Sequence, residues 1–95
     1  MGNANTVTQA QIEALMAGGS FYDTKIGNKT CVLTLMLANG FEITESAACV
    51  DPANYSREIG IDICKKRIAD RLWQLEGYRL QCAMYTDGAA MQRAE

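Results

Sequence analysis

Histidine is absent from all 95 residues. The side chain that most often serves as general base near neutral pH, and as metal ligand, is therefore missing. A serine or cysteine nucleophile would need a lysine or carboxylate as its base, and no motif places one beside it. Met16-Ala17-Gly18-Gly19-Ser20 is glycine-rich but lacks the lysine of a phosphate-binding loop. Glu42 and Glu45 lie an odd number of residues apart on a strand-like segment, so they point to opposite faces and make no acid–base pair. These absences describe a protein that binds without catalysing and that needs no cofactor.

Long apolar runs are absent too. No stretch approaches the roughly 20 residues of a membrane span, and Met1 to Gln11 is too polar for a signal peptide. The four cysteines, Cys31, Cys49, Cys64 and Cys82, show no two-residue spacing of a zinc or redox motif. Each has apolar neighbours, so all four are expected as small buried hydrophobes, reduced, in a cytoplasmic compartment. A net charge of −2 gives no cationic surface for coating duplex nucleic acid. No membrane partner is expected either.

What is present is a globular composition, with 48% hydrophobic residues, enough to require a buried core. Ninety-five residues make one domain, 1–95, with segments 1–7 and 87–95 expected to be flexible. A chain this short buries only about 60–65% of its unfolded surface, so a partner subunit is a natural source of stability.

Local patterns predict an α+β fold: a small antiparallel β-meander packed against one long helix, plus a short N-terminal helix. Thr8 and Gln11 have capping-box spacing, Ile12, Leu15 and Met16 share one helical face, and Gly18-Gly19 ends the element. Phe21 to Ala48 reads as the meander, broken at Gly27-Asn28 and at Asn39-Gly40. The latter predicts a two-residue turn that sets Met36 opposite Ile43. One face of the sheet then carries Val32, Met36, Phe41 and Ile43, and the other Cys31, Leu33, Leu35 and Leu37. Asp51-Pro52, the sole proline, predicts the N-terminus of a long helix reaching about Glu76, with Gly77 as its stop and Tyr78–Met84 as a last strand or short helix.

Along that helix Ile61, Cys64, Ile68, Leu72 and Leu75 make one apolar stripe. Tyr55, Ile59 and Ile63 make a second on nearly the opposite side. Gly60 implies close approach by another backbone. Two apolar sheet faces and a two-sided helix exceed what one protomer hides, so a homodimer or higher oligomer is expected. The alternative is that the N-terminal helix covers the second sheet face.

Three features offer ligand chemistry, each with a structural alternative. Asn54 and Tyr55 at the predicted helix head could meet a phosphate and stack a base, or serve as turn and core. The cationic run Lys65-Lys66-Arg67 with Arg71 could bind an anion, or be a solvated face in which Lys66 pairs with Asp62 and Asp70. Arg57, in the first helical turn, opposes the helix dipole and calls for an anion or a carboxylate. Trp73 is expected in the core.

The stretch Asn39-Gly40-Phe41, Glu45-Ser46-Ala47, Cys49-Val50-Asp51-Pro52-Ala53-Asn54-Tyr55, Glu58-Ile59-Gly60 and Trp73-Gln74-Leu75-Glu76-Gly77-Tyr78 resembles a family of small tailed-phage proteins. The first 30 residues carry no part of this resemblance. One branch of the family is similar to the anti-Thoeris proteins, sponges that sequester cyclic ADP-ribose isomers made by bacterial TIR-domain immune enzymes without cleaving them. Relatives are implied to hold cyclic oligonucleotides at separate sites, in dimers assembled into larger rings such as hexamers. The resemblance implies ligand contacts at Phe41, Asn54, Tyr55 and Arg57, with Lys65 and Arg67 behind them, in an infected bacterial cell. A phage protein that binds and inhibits a host protein is the alternative.

Overall fold

The computed structural model describes residues 5–92, with side chains through Thr86. Of the ends expected to be flexible, residues 1–4 and 93–95 lie outside the described residues, and the backbone of 87–92 continues a helix. Three strands, a short N-terminal helix and one long C-terminal helix make an α+β fold.

Helix α1, Gln9–Ala17, starts on the expected capping box. Thr8 Oγ1 accepts the Gln11 N–H at 3.2 Å, and Gln11 Oε1 accepts the Thr8 N–H at 2.8 Å. Gly18 ends it. The strands β1, Ser20–Ile26, β2, Thr30–Met36, and β3, Glu42–Ala48, then form an antiparallel sheet in sequence order.

The β2–β3 register differs from expectation by one residue. Leu37 N–H donates to the Phe41 carbonyl at 2.8 Å, so the connection is the three-residue loop Ala38-Asn39-Gly40. Within this loop only Gly40 has positive φ, at 91°. Asn39 instead turns its side chain onto the Phe41 N–H at 2.9 Å, the chemistry of a three-residue hairpin with a left-handed glycine. Leu35 therefore faces Ile43, and Met36 faces Glu42. The slip moves Ile43 onto the face of Cys31, Leu33 and Leu35, where it is buried.

The second correction is at Asp51. Its carboxylate accepts the Ala53 N–H at 3.0 Å but caps only a single 3-10 turn, Pro52–Asn54. Tyr55 is extended, and the long helix α2, Arg57–Gln92, begins two residues later. There Ser56 Oγ accepts the Ile59 N–H at 3.3 Å. The third correction is at Gly77, which does not stop the helix. No proline follows it, good helix formers flank it, and Glu76 and Arg79 pair across it at 2.9 Å. The lone glycine costs about 1 kcal/mol relative to alanine, too little to break a helix of 36 residues. Tyr78–Met84 is accordingly helical.

One core unites Ile12 of α1, Leu33, Leu35 and Ile43 of the sheet, and Cys64, Ile68 and Leu72 of α2. Gly60 seats the helix on the central strand: a Cβ there would lie 2.7 Å from Cys31 Cβ. The close approach expected at Gly60 is thus by the Cys31 side chain. Because α1 buries Ile12 in this same core, it does not cover the second sheet face. Tyr22, Ile26 and Met36 stay exposed there, and Thr34 and Thr44 share a hydroxyl hydrogen bond at 2.7 Å.

Trp73, expected in the core, is 36% exposed because it sits on the side of α2 away from Leu72. The cysteines also divide. Cys31 and Cys64 are buried, Cys49 is half-buried and Cys82 is exposed on the distal part of α2; all are free thiols. Burial, followed by the neighbouring Cys31, pushes the Cys64 thiol pKa up, which disfavours the reactive thiolate. Iodoacetamide on native protein is therefore expected to label Cys82 first, Cys49 slowly, and Cys31 and Cys64 only after denaturation. Peptide mass mapping of a time course checks the order.

Candidate functional site

Where the chain leaves β3 and re-enters as α2, it forms a pocket of about 70 Å³. Its wall is built from small residues, Ala47, Ala48 and Gly60, with Ile59 and Ile63 along the helix. Lys29, Cys49, Asn54, Tyr55 and Ser56 supply the polar atoms. The loops are tied together locally. Cys49 N–H donates to the Lys29 carbonyl at 3.0 Å, and its thiol donates to the Asp51 carbonyl at 3.2 Å. The Lys29 ammonium reaches the Val50 carbonyl at 3.4 Å and forms no salt bridge among the described residues.

Tyr55 is placed by the 3-10 turn before it. Its ring lies under the Lys25 ammonium, 4.5 Å from the centroid, a cation–π contact that fixes the ring's orientation. Burial, then the charge and hydrogen bonding of Cys31, pushes the phenol pKa up, so near neutral pH it is a protonated donor.

The residues implied by the resemblance do not converge on one spot. Asn54 and Tyr55 share the pocket. Arg57 is turned to β1, where its Nε and Nη2 bind both carboxylate oxygens of Asp23 at 2.9 and 2.8 Å. Asp23 is therefore the carboxylate that Arg57 called for. Lys65 stands 5.0 Å from the centroid of Phe21, also on β1. Arg67 donates to the Ser46 carbonyl on β3, and Arg71 pairs with Glu45 at 3.1 Å. The two like-charged arginines are tolerated because each has its own acceptor. Lys66 pairs with neither Asp62 nor Asp70; the ion pairs among the described residues are Arg57–Asp23, Arg71–Glu45 and Arg79–Glu76.

Phe41 lies at the other end of the sheet, beside Leu37, Leu72 and Leu75 in a separate depression. The seven residues of β2 separate the two ends by about 20 Å at 3.3 Å per residue. Lys29, Cys49 and the two alanines were missed in the sequence, since a turn lysine reaches the pocket only through the Cys49–Lys29 contact, 20 residues apart.

The Arg57 guanidinium holds the Asp23 carboxyl below its ordinary value of 3.8. A depressed carboxylate pKa stabilises the folded state above the unfolded value, and that contribution is lost as pH falls from there through the folded pKa. Asp23→Asn is expected to remove this component, flattening the stability profile below about pH 4. Urea midpoints between pH 3 and pH 6 check it.

No group of three or more histidine, cysteine, aspartate or glutamate side chains among the described residues is placed to hold a metal ion. No helix among them is long and apolar enough to cross a membrane.

Residues 7–84 match the phage protein family described as N4 Gp49/phage Sf6 gene 66. The chain belongs to this phage protein family. The match takes in α1 and all three strands, including residues 7–30, which carry no part of the resemblance described above. It also takes in the whole pocket of this phage protein and ends within the distal part of α2. No curated protein and no solved structure matches the chain.

Proposed function

We propose that this phage protein binds and sequesters a cyclic nucleotide immune signal, a cyclic ADP-ribose isomer or a cyclic oligonucleotide, without cleaving it. In this reading it is not an enzyme, and it acts as a homo-oligomer in the cytoplasm of the infected cell.

The observation that carries the reading is the pairing of a fixed aromatic ring with cationic lysines at an apolar pocket. Tyr55 offers a face to a base and a phenolic donor, Asn54 an amide for a polar edge, and Lys25 and Lys29 charge for phosphate. No histidine lies anywhere in the chain to act as a base at this site. At about 70 Å³ the pocket is well below the about 300–1,000 Å³ of small-ligand sites, so it seats only part of a nucleotide and the rest projects from it toward a second protomer.

The test is to incubate the protein with the product of a TIR-domain enzyme, remove free ligand, denature by heat and analyse the released material by mass spectrometry. Recovery of intact cyclic ADP-ribose isomer supports sequestration. A changed product points to an enzyme. Release of nothing passes the reading to the host-protein inhibitor, for which the exposed Tyr22, Ile26 and Met36 face is the natural contact surface.

A further inference from the structure

The outward side of α2 carries a seam unrelated to its sheet-facing stripe. Ile59, Ile63, Lys66, Asp70, Trp73, Gly77, Leu80 and Met84 follow one another at alternating steps of four and three. That is a 3.5-residue repeat, the spacing that keeps one line of a helix facing a second helix. Four of its five large apolar members are open in the protomer, Ile59 being 62% exposed, Met84 43%, Ile63 38% and Trp73 36%, while Leu80 is half-buried.

We infer that α2 pairs antiparallel with α2 of a second copy, about a two-fold axis level with Ile68 but on the opposite, outward side of the helix. Three features of the seam select this arrangement. About that axis Lys66 meets Asp70 of the second copy, and Asp70 meets its Lys66; neither side chain has an ion pair among the described residues. Parallel, in-register pairing would instead set lysine on lysine and aspartate on aspartate, which is unfavourable. Ile63 meets the broad face of Trp73 in the second copy. Ile59 meets Gly77, where a Cβ would touch nothing within 4 Å, so the glycine that failed to end the helix leaves room for a partner side chain.

The face also has length. The helix is about 54 Å long at 1.5 Å per residue, and the protein's longest dimension is 60 Å. In the antiparallel pair, Leu80 and Met84 run past the first turn of the second copy's helix, onto the segment that carries its Asn54 and Tyr55. Each pocket mouth is thereby walled by the other protomer, which deepens the between-protomer ligand site proposed above.

The experiment uses the full chain without ligand, in analytical ultracentrifugation at micromolar concentration. The parent is expected as a dimer or a multiple of one. Lys66→Asp or Asp70→Lys sets like charges opposite each other twice per interface and is expected to raise the dissociation constant tenfold or more. The Lys66→Asp/Asp70→Lys double variant restores both pairs and is expected to recover the parent's assembly. Both positions are exposed, so circular dichroism is expected to show every variant folded. Ile59→Asp, also exposed in the protomer, is expected to dissociate the pair without unfolding it. A monomeric parent, single variants that assemble like the parent, or a double variant that fails to recover would each overturn the pairing. Nucleotide retention by the parent is measured separately, so failure of the ligand reading leaves the assembly result intact, and the converse holds.

Discussion

Ile43→Ala is expected to cost about 2–5 kcal/mol, while Met36→Ala costs less than about 1 kcal/mol. Ile43 is 1% exposed, directly opposite Leu35 and in the cluster with Leu33, Ile68 and Leu72. Removing its three outer carbons leaves a cavity that a strand pinned on one side by β2 cannot collapse. Met36 is 36% exposed on the uncovered face, where truncation returns little surface to water. For a chain of this size, with stability of order 0.05–0.15 kcal/mol per residue, the first change removes a large share of the total. Urea denaturation with unchanged m-values is the measurement. The tight-turn register puts Ile43 and Met36 side by side on one face, so equal costs would mean that the hairpin closes over two residues.

That register shows where sequence patterns suffice and where they fail. Both helices, the three strands and their order follow from local signals: the Thr8–Gln11 box, the glycine breaks and the Cys64–Ile68–Leu72 stripe. Asn39-Gly40 marks a turn, yet its type depends on whether Asn39 adopts positive φ or spends its side chain on the Phe41 N–H. Those options differ by little locally, and the burial of Ile43 against Leu35 decides between them. Asp51 capped a turn and not a helix for a similar reason. Its cap chemistry is the same in both, and the extended Tyr55 that separates them is packed by Lys25 and Cys31, contacts far apart in sequence. Of the site, the need of Arg57 for a counter-charge was legible, but its supplier, Asp23, lies 34 residues away across the sheet. The pocket itself was not legible, because it is bounded by alanines and a glycine whose contribution is the space they leave.

Tyr55→Ala is expected to weaken retention of cyclic ADP-ribose about tenfold or more, and Phe41→Ala to change it by less than about twofold. Stacking of a base on an aromatic ring is worth about 1–3 kcal/mol, and 1.4 kcal/mol corresponds to tenfold. The Tyr55 ring is held in place by Lys25 before any ligand arrives, so little ordering cost reduces that gain. Phe41 is 50% exposed at the hairpin end of the sheet, one strand length away, and cannot touch a ligand seated on Tyr55 in the same protomer. Arg57→Ala falls between them. Its guanidinium is already committed to Asp23, and the substitution frees a carboxylate near the Tyr55 side of the sheet, so binding is expected to fall in a way that added salt relieves. Titration calorimetry of folded variants at two ionic strengths separates these outcomes. Equal tenfold losses for Tyr55→Ala and Phe41→Ala would mean that a neighbouring protomer brings its hairpin to the pocket, because no motion within one chain that keeps Ile43 buried closes a distance of about 20 Å.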